Sequence, residues 1–220
     1  MKDFYSAVFF DMDGLFVDSE PQWLIAETEL MAEYGYKWTS NDQNYCLGGP
    51  LTRVGQYMYE KSGLVKSPEF FTSSVIERMS VKLSAGAPVL PGALELLSDF
   101  KKNNIPTALV SASPRVLVDS VLKSIPEHSF SFSLSADDVT NPKPDPEAYL
   151  LAADKLNVDI KNCLVLEDSL TGVQAATSSG AYTIAVPHFV KVVPRVRLRV
   201  ISSLRELSYA QLFASYALDK

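Results

Sequence analysis

The sequence predicts an α/β protein: a doubly wound parallel sheet with an all-helical block inserted after its first strand. Three observations carry this. From Gly92 onward, short apolar runs alternate with helical periodicity, as in a parallel sheet covered on both faces. Between Pro21 and Ala85 no strand signal of any strength appears. Three apolar strands end in polar clusters, Asp11-Met12-Asp13, Ser111-Ala112-Ser113 and Glu167-Asp168-Ser169. Open α/β sheets bind their ligands at the carboxyl ends of strands.

Taken in order, Ala7 to Phe10 is an apolar run too short for a helix and reads as a buried strand. Asp11 and Asp13 follow two residues apart, so on an extended chain they point the same way. Like charges there repel and lose hydration. A hard divalent cation such as Mg²⁺ compensates them and brings phosphate oxygens as further ligands. Taken alone, Asp-x-Asp-Gly also reads as an acidic turn capping a helix. Pro21 opens a helix with Leu24, Glu27-Thr28, Met31 and Tyr34 at helical spacing and Gly35 as its stop. A second helix follows Pro50, carrying Val54, Tyr57, Met58 and Lys61 up to Gly63, and a third spans Pro68 to Ser84 with Phe71, Val75, Met79 and Leu83 in register. The Gly- and Pro-rich stretch 85–92 returns the chain. The expected partition is residues 1–16 and 88–220 for the core and 17–87 for a helical cap.

After the return come a helix at 93–103, a strand at 107–111, a helix from Pro114 to Lys123 and a weaker strand at 130–135. A helix from Pro146 to Leu156, a strand at 163–166, a helix at 170–179 and a strand at 182–186 continue the alternation. A sixth strand near 199–201 and a helix from Ser208 close it. Lys143 sits in Asn141-Pro142-Lys143-Pro144-Asp145-Pro146, a loop stiffened by prolines on both sides. A floppy surface lysine would not need such bracing.

The 220 residues, 47% apolar and 21% charged, suffice for a real core. A net charge of −6 without any basic-aromatic interleaving argues against nucleic acid as a partner. No uncharged apolar stretch reaches membrane-spanning length, and Met1-Lys2-Asp3 runs into the first strand without a leader pattern. With only Cys46 and Cys163, lacking metal-ligand spacing, reduced thiols in a cytoplasmic monomer are expected.

In order and spacing, Asp11-Met12-Asp13-Gly14, Ser111, Lys143 and Glu167-Asp168 resemble the four motifs of the haloacid dehalogenase-like phosphohydrolase superfamily, in its β-phosphoglucomutase-like branch with a helical cap. The resemblance covers almost the whole chain and implies a Rossmann-like core. It implies Asp11 as nucleophile, giving an aspartyl-phosphate, and Asp13 as general acid and then base. Ser111, with Ala112 beside it, and Lys143 would bind the phosphoryl group. Mg²⁺ would be held by Asp11, the Asp13 backbone carbonyl and Asp168, with Glu167 as a further metal contributor. Asp13 speaks against the dehalogenases, phosphonate hydrolases and transport ATPases of the superfamily, which lack an acid there. The resemblance therefore implies a phosphatase acting on a small phosphorylated metabolite, a sugar phosphate above all. A β-phosphoglucomutase-type phosphomutase is the alternative. Mutases of the branch carry a histidine early in the first cap helix, where this chain has Trp23, and its two histidines, His128 and His188, lie in core segments. That departure favours hydrolysis. The Leu47-Gly48-Gly49-Pro50 turn would form the specificity loop, with Arg53 and Lys82 as cationic contacts. Plain helix-surface charge remains the other reading of both.

Overall fold

The computed structural model describes residues 4–48, 50–188 and 190–216. They form two compact units, one of Met1–Asp18 with Pro88–Lys220 and one of Ser19–Ala87.

The larger unit is built on β1 (Ala7–Phe10), β2 (Thr107–Val110), β3 (Phe132–Leu134), β4 (Cys163–Glu167), β5 (Tyr182–Ala185) and β6 (Leu198–Val200). They pair in parallel in the order β3-β2-β1-β4-β5-β6. The sheet thus grows outward in both directions from β1, and the ends of β1, β2 and β4 lie side by side at the switch point. All residues of β1, β2, β4 and β5 are buried, which explains their unbroken apolar runs. β3 is an edge strand with two half-buried residues, and its serine alternation reflects that one-sided burial.

The two faces of β1 pack differently. Ala7 and Phe9 join a cluster with Ala148, Tyr149, Ala152, Ala153, Ala175 and Ala176. These come from the helices Glu147–Lys155 and Leu170–Ser179, and their small alanines let the helix backbones lie close to the sheet. Phe10, on the opposite face, packs edge-on against Phe16, Phe100 and Phe130, with ring centroids 5.6–6.1 Å away.

The smaller unit is all-helical: α1 (Glu20–Ala32), α2 (Ser40–Cys46), α3 (Leu51–Lys61) and α4 (Pro68–Ala85). Helix α2 has no counterpart in the sequence reading. It is set by a capping box in which Thr39 and Asp42 satisfy each other's backbone N–H groups. Asp42 also accepts from the Tyr36 and Tyr57 hydroxyls, and these bonds outweigh burial and hold its carboxyl down at about 2. The buried face of α4 is Phe71, Val75, Met79 and Leu83, the spacing the sequence displays. For α1 the expected stripe is rotated: Ala26, Glu27, Leu30 and Met31 are buried, while Leu24 is 42% exposed. Glu27 and Met31 of the expected stripe are on the inward face, with Ala26 and Leu30 beside them in place of Leu24 and Thr28.

Returning to the larger unit, α5 (Ala93–Lys102), α6 (Arg115–Ser124), α7 (Glu147–Lys155) and α8 (Leu170–Ser179) connect successive strands, and α9 (Tyr209–Ser215) follows β6. No described helix is long and apolar enough to cross a membrane.

Candidate active site

The backbone of Asp11 leaves β1 by donating its N–H to the Leu166 carbonyl of β4 at 3.0 Å. The tips of the two strands are thereby stitched together just before the acids begin. Gly14 turns the chain with φ +79°, and a side chain there would lie 2.3 Å from Asp168 Oδ2. Glycine is required on both counts.

Lys143 reaches into this corner. Its Nζ donates to Asp11 Oδ1 at 2.6 Å, Glu167 Oε1 at 2.7 Å and the Val110 carbonyl at 2.8 Å, and its side chain is 3% exposed. An ammonium has three donors, and all three are used. One residue therefore ties the ends of β1, β2 and β4 together, across sequence separations of 132, 33 and 24. The opposing charges of Asp11 and Glu167 more than offset burial and hold the Lys143 ammonium well above its ordinary range.

Asp11, Glu167 and Asp168 each offer an oxygen within 4.8 Å of the others. Burial, reinforced by the charge of Glu167, pushes the Asp11 carboxyl up to about 8 despite the pull of Lys143. Burial, then the charges of Asp11 and Glu167, pushes Asp168 up to about 9. Three acids around one ammonium leave an uncompensated negative field. Asp168 Oδ1 is buried with no hydrogen-bond donor, a costly arrangement for a carboxylate. An all-oxygen donor set with an orphaned oxygen fits a hard divalent cation.

The second acid is held separately. Ser113 Oγ donates to Asp13 Oδ2 at 2.7 Å, and the Ser113 N–H donates to Ser111 Oγ at 3.0 Å. Two hydrogen-bonded groups result, Asp11–Lys143–Glu167 with Asp168 beside them, and Asp13–Ser113–Ser111. Ala112 is exposed between the two serines. Ser113 belongs to the Ser-x-Ser strand end but was not expected to contact an acid, although its i, i+2 spacing was a usable signal. Tyr149 was missed altogether: its hydroxyl donates to Glu167 Oε1 at 2.8 Å, and nothing in an apolar helix sequence marks it.

Trp23, Arg53 and Lys82 belong to the smaller unit. Trp23 is half-buried on α1. Arg53 donates to the Tyr45 carbonyl at 2.9 Å and lies over the Tyr45 ring. Lys82 pairs with Glu29 at 2.8 Å. Both cations thus have partners within their own unit. Gly49 lies outside the described residues.

The sequence profile of the haloacid dehalogenase-like hydrolases matches residues 8–186. The chain is 34% identical to a phosphorylated carbohydrates phosphatase of Thermotoga maritima, over 79% of its own length and 81% of the relative's. It is also 34% identical to hexitol phosphatase B of Escherichia coli, over 82% and 83%. Its fold matches the crystal structure of a β-phosphoglucomutase from Clostridium difficile with a TM-score of 0.77 at 24% identity, over 97% and 99% of the two chains. With the profile spanning most of the chain and four motif segments meeting at one sheet edge, the chain belongs to the haloacid dehalogenase-like hydrolase family.

Proposed function

We propose that this protein is a Mg²⁺-dependent phosphatase that hydrolyses a small phosphomonoester, a sugar or polyol phosphate, through an aspartyl-phosphate on Asp11. The observation that carries the reading is the Lys143 ammonium bridging Asp11 and Glu167 beside the orphaned oxygen of Asp168. Such a corner binds a cation and a phosphoryl group together. The hexitol and carbohydrate phosphatase relatives support the substrate class.

Lys143 uses Oδ1 of Asp11, so Oδ2 is the atom that attacks phosphorus. The new O–P bond forms as the ester P–O bond breaks, and Asp13 gives its proton to the departing alkoxide. Asp13 then takes a proton from water, which attacks the aspartyl-phosphate and restores the Asp11 carboxylate. Ser113 holds Asp13 for both transfers. Ser111 offers its hydroxyl to the phosphoryl oxygens, and Lys143 contributes its fixed charge. Asp11, the Asp13 carbonyl and Asp168 would hold Mg²⁺. Glu167, whose oxygens already accept from Lys143, Tyr149, Asp168 and Ser169, contributes from one layer out. When bound, the ion offsets the repulsion between an anionic nucleophile and an anionic phosphate. The smaller unit selects the leaving group, with Trp23, Gly49 and Arg53 as its candidate contacts. Two free, buried cysteines fit a reducing cytoplasm.

The test is phosphate release over a panel of sugar, polyol and nucleotide phosphates, with and without chelator, for the native protein and Asp11→Asn. Native activity that a chelator abolishes and Asp11→Asn lowers by at least ~10³-fold is the expected result. Robust turnover by Asp11→Asn would sink the assignment. The fold is shared with a phosphomutase, so the products are identified as well. An isomerised sugar phosphate formed only with a bisphosphate activator would indicate a mutase.

A further inference from the structure

The mechanism above leaves Tyr149 without a task. It lies on α7, fully buried, its ring stacked near Phe9 with centroids 6.5 Å apart. Its hydroxyl donates to Glu167 Oε1, the oxygen that also receives Lys143. Its ring lies under the Lys143 ammonium, Nζ standing 4.8 Å from the centroid. The other Glu167 oxygen accepts from the Asp168 N–H at 3.1 Å and from the Ser169 N–H and hydroxyl at 3.3 and 3.2 Å. A carboxylate has about four acceptor sites, so Glu167 is saturated by the chain itself. Gly172 closes the remaining side, since a side chain there would come within 1.7 Å of Glu167 Oε1. The lysine is walled in likewise, by three acceptors and one aromatic face.

We propose that Tyr149 is a positioning residue for this reaction. Its hydroxyl locks the Glu167 carboxylate, and its ring floors the Lys143 ammonium, so that the charge of Lys143 stays against Asp11 while the phosphoryl group arrives and leaves. Glu167 accordingly serves as the anchor of the lysine rather than as a direct ligand of the cation. Without the phenolic donor, Oε1 is held by Lys143 alone. That oxygen can then shift about the anchored Oε2 and draw the ammonium off the nucleophile. This rests on the phosphatase reading for its catalytic consequence, but the positioning itself is observable without turnover.

Tyr149→Phe keeps the ring and removes only the donor, and Tyr149→Leu removes both. The direct readout is ¹⁵N NMR of the Lys143 ammonium, assigned with Lys143→Arg, and the rate at which its protons exchange with water. A slow rate is expected in the native protein, several-fold faster in Tyr149→Phe and faster again in Tyr149→Leu. The second readout is phosphate release from p-nitrophenyl phosphate with Mg²⁺. There Tyr149→Phe should lose about tenfold in kcat with KM changed less than twofold, and its melting temperature should stay within a few degrees of native. Native ammonium exchange in Tyr149→Phe overturns the proposal, whatever kcat does. So does native kcat in that variant. If the native protein releases no phosphate from any ester, the phosphatase reading falls separately, and the exchange rates alone decide whether Tyr149 positions Lys143. Should Tyr149→Leu not fold, the Phe variant carries both readouts.

Discussion

Glu27 lies on the inward side of α1, 2% exposed, with Oε2 lacking any hydrogen-bond donor. Burial, then the charge of Glu20, pushes its carboxyl up to about 8 against a hydrogen bond from Trp38. The folded state therefore retains a proton that the unfolded chain has released above its ordinary 4.5. Its stabilising contribution is complete below the unfolded value and is lost as pH rises through about 8. Glu27→Gln should remove this dependence, gaining on the order of 1–3 kcal/mol over native at pH 9 and nothing near pH 5. Paired denaturant melts at the two pH values measure it, because the difference between the proteins cancels every other titrating group. Ser113 supplies the second prediction at this scale. Ser113→Ala removes the hydroxyl that donates to Asp13 and should lower kcat about tenfold while leaving KM and melting temperature nearly unchanged. A native kcat would mean that the Ser113 hydroxyl does not orient Asp13.

Two helices are pressed against their neighbours at a glycine. In α3, a side chain at Gly55 would meet Thr72 Oγ1 at 1.9 Å and the Pro68 carbonyl at 2.5 Å, both on α4. Gly55→Ala should push α3 from α4 and cost about 1–3 kcal/mol in urea unfolding. In α8, Gly172 faces the Glu167 carboxylate, so Gly172→Ala should lower kcat ten- to a hundredfold by displacing the lysine's anchor. An alanine variant with native turnover would show that the carboxylate has room to move. Elements were also the level at which the sequence was most legible. Apolar runs ending in acids located β1 and β4, and Pro and Gly punctuation located α4 and α8. Helix α2 escaped because it has no apolar period, although Thr39-x-x-Asp42 was a readable start signal. The face of α1 was read in part: Glu27 and Met31 are buried as their spacing expects, but Leu24 is exposed and Ala26 and Leu30 fill the inward face instead. Within the site, residues named by strand-end position could be found from the chain alone. Tyr149 could not, because its partner Glu167 is 18 residues away on another element and only the packing of α7 on the sheet brings them together.

At the scale of the whole molecule, the acid cluster sets how stability responds to pH and cations. Asp11 and Asp168 are raised to about 8 and about 9 from ordinary values near 3.8, so the cation-free protein holds protons that its unfolded chain gives up. Its stability should fall as pH rises from about 4 to about 9. A divalent cation bound there would replace those protons, so the melting temperature gained on adding Mg²⁺ should be larger at pH 8.5 than at pH 6. Scanning calorimetry at both values checks this, and an equal gain would place the ion elsewhere.

The two crossings into and out of the helical unit are laid side by side within the sheet unit. Val17 bridges Val89, the Asp18 N–H reaches the Pro88 carbonyl at 2.8 Å, and the Leu90 N–H reaches the Phe16 carbonyl at 2.9 Å. Such a doorway fixes the distance between the severed ends whatever lies beyond it. Any guest segment whose own termini sit about one strand spacing apart could be spliced in at 18/88 without disturbing the host. For the protein engineer this makes the scaffold modular, a constant sheet unit that accepts exchangeable inserts.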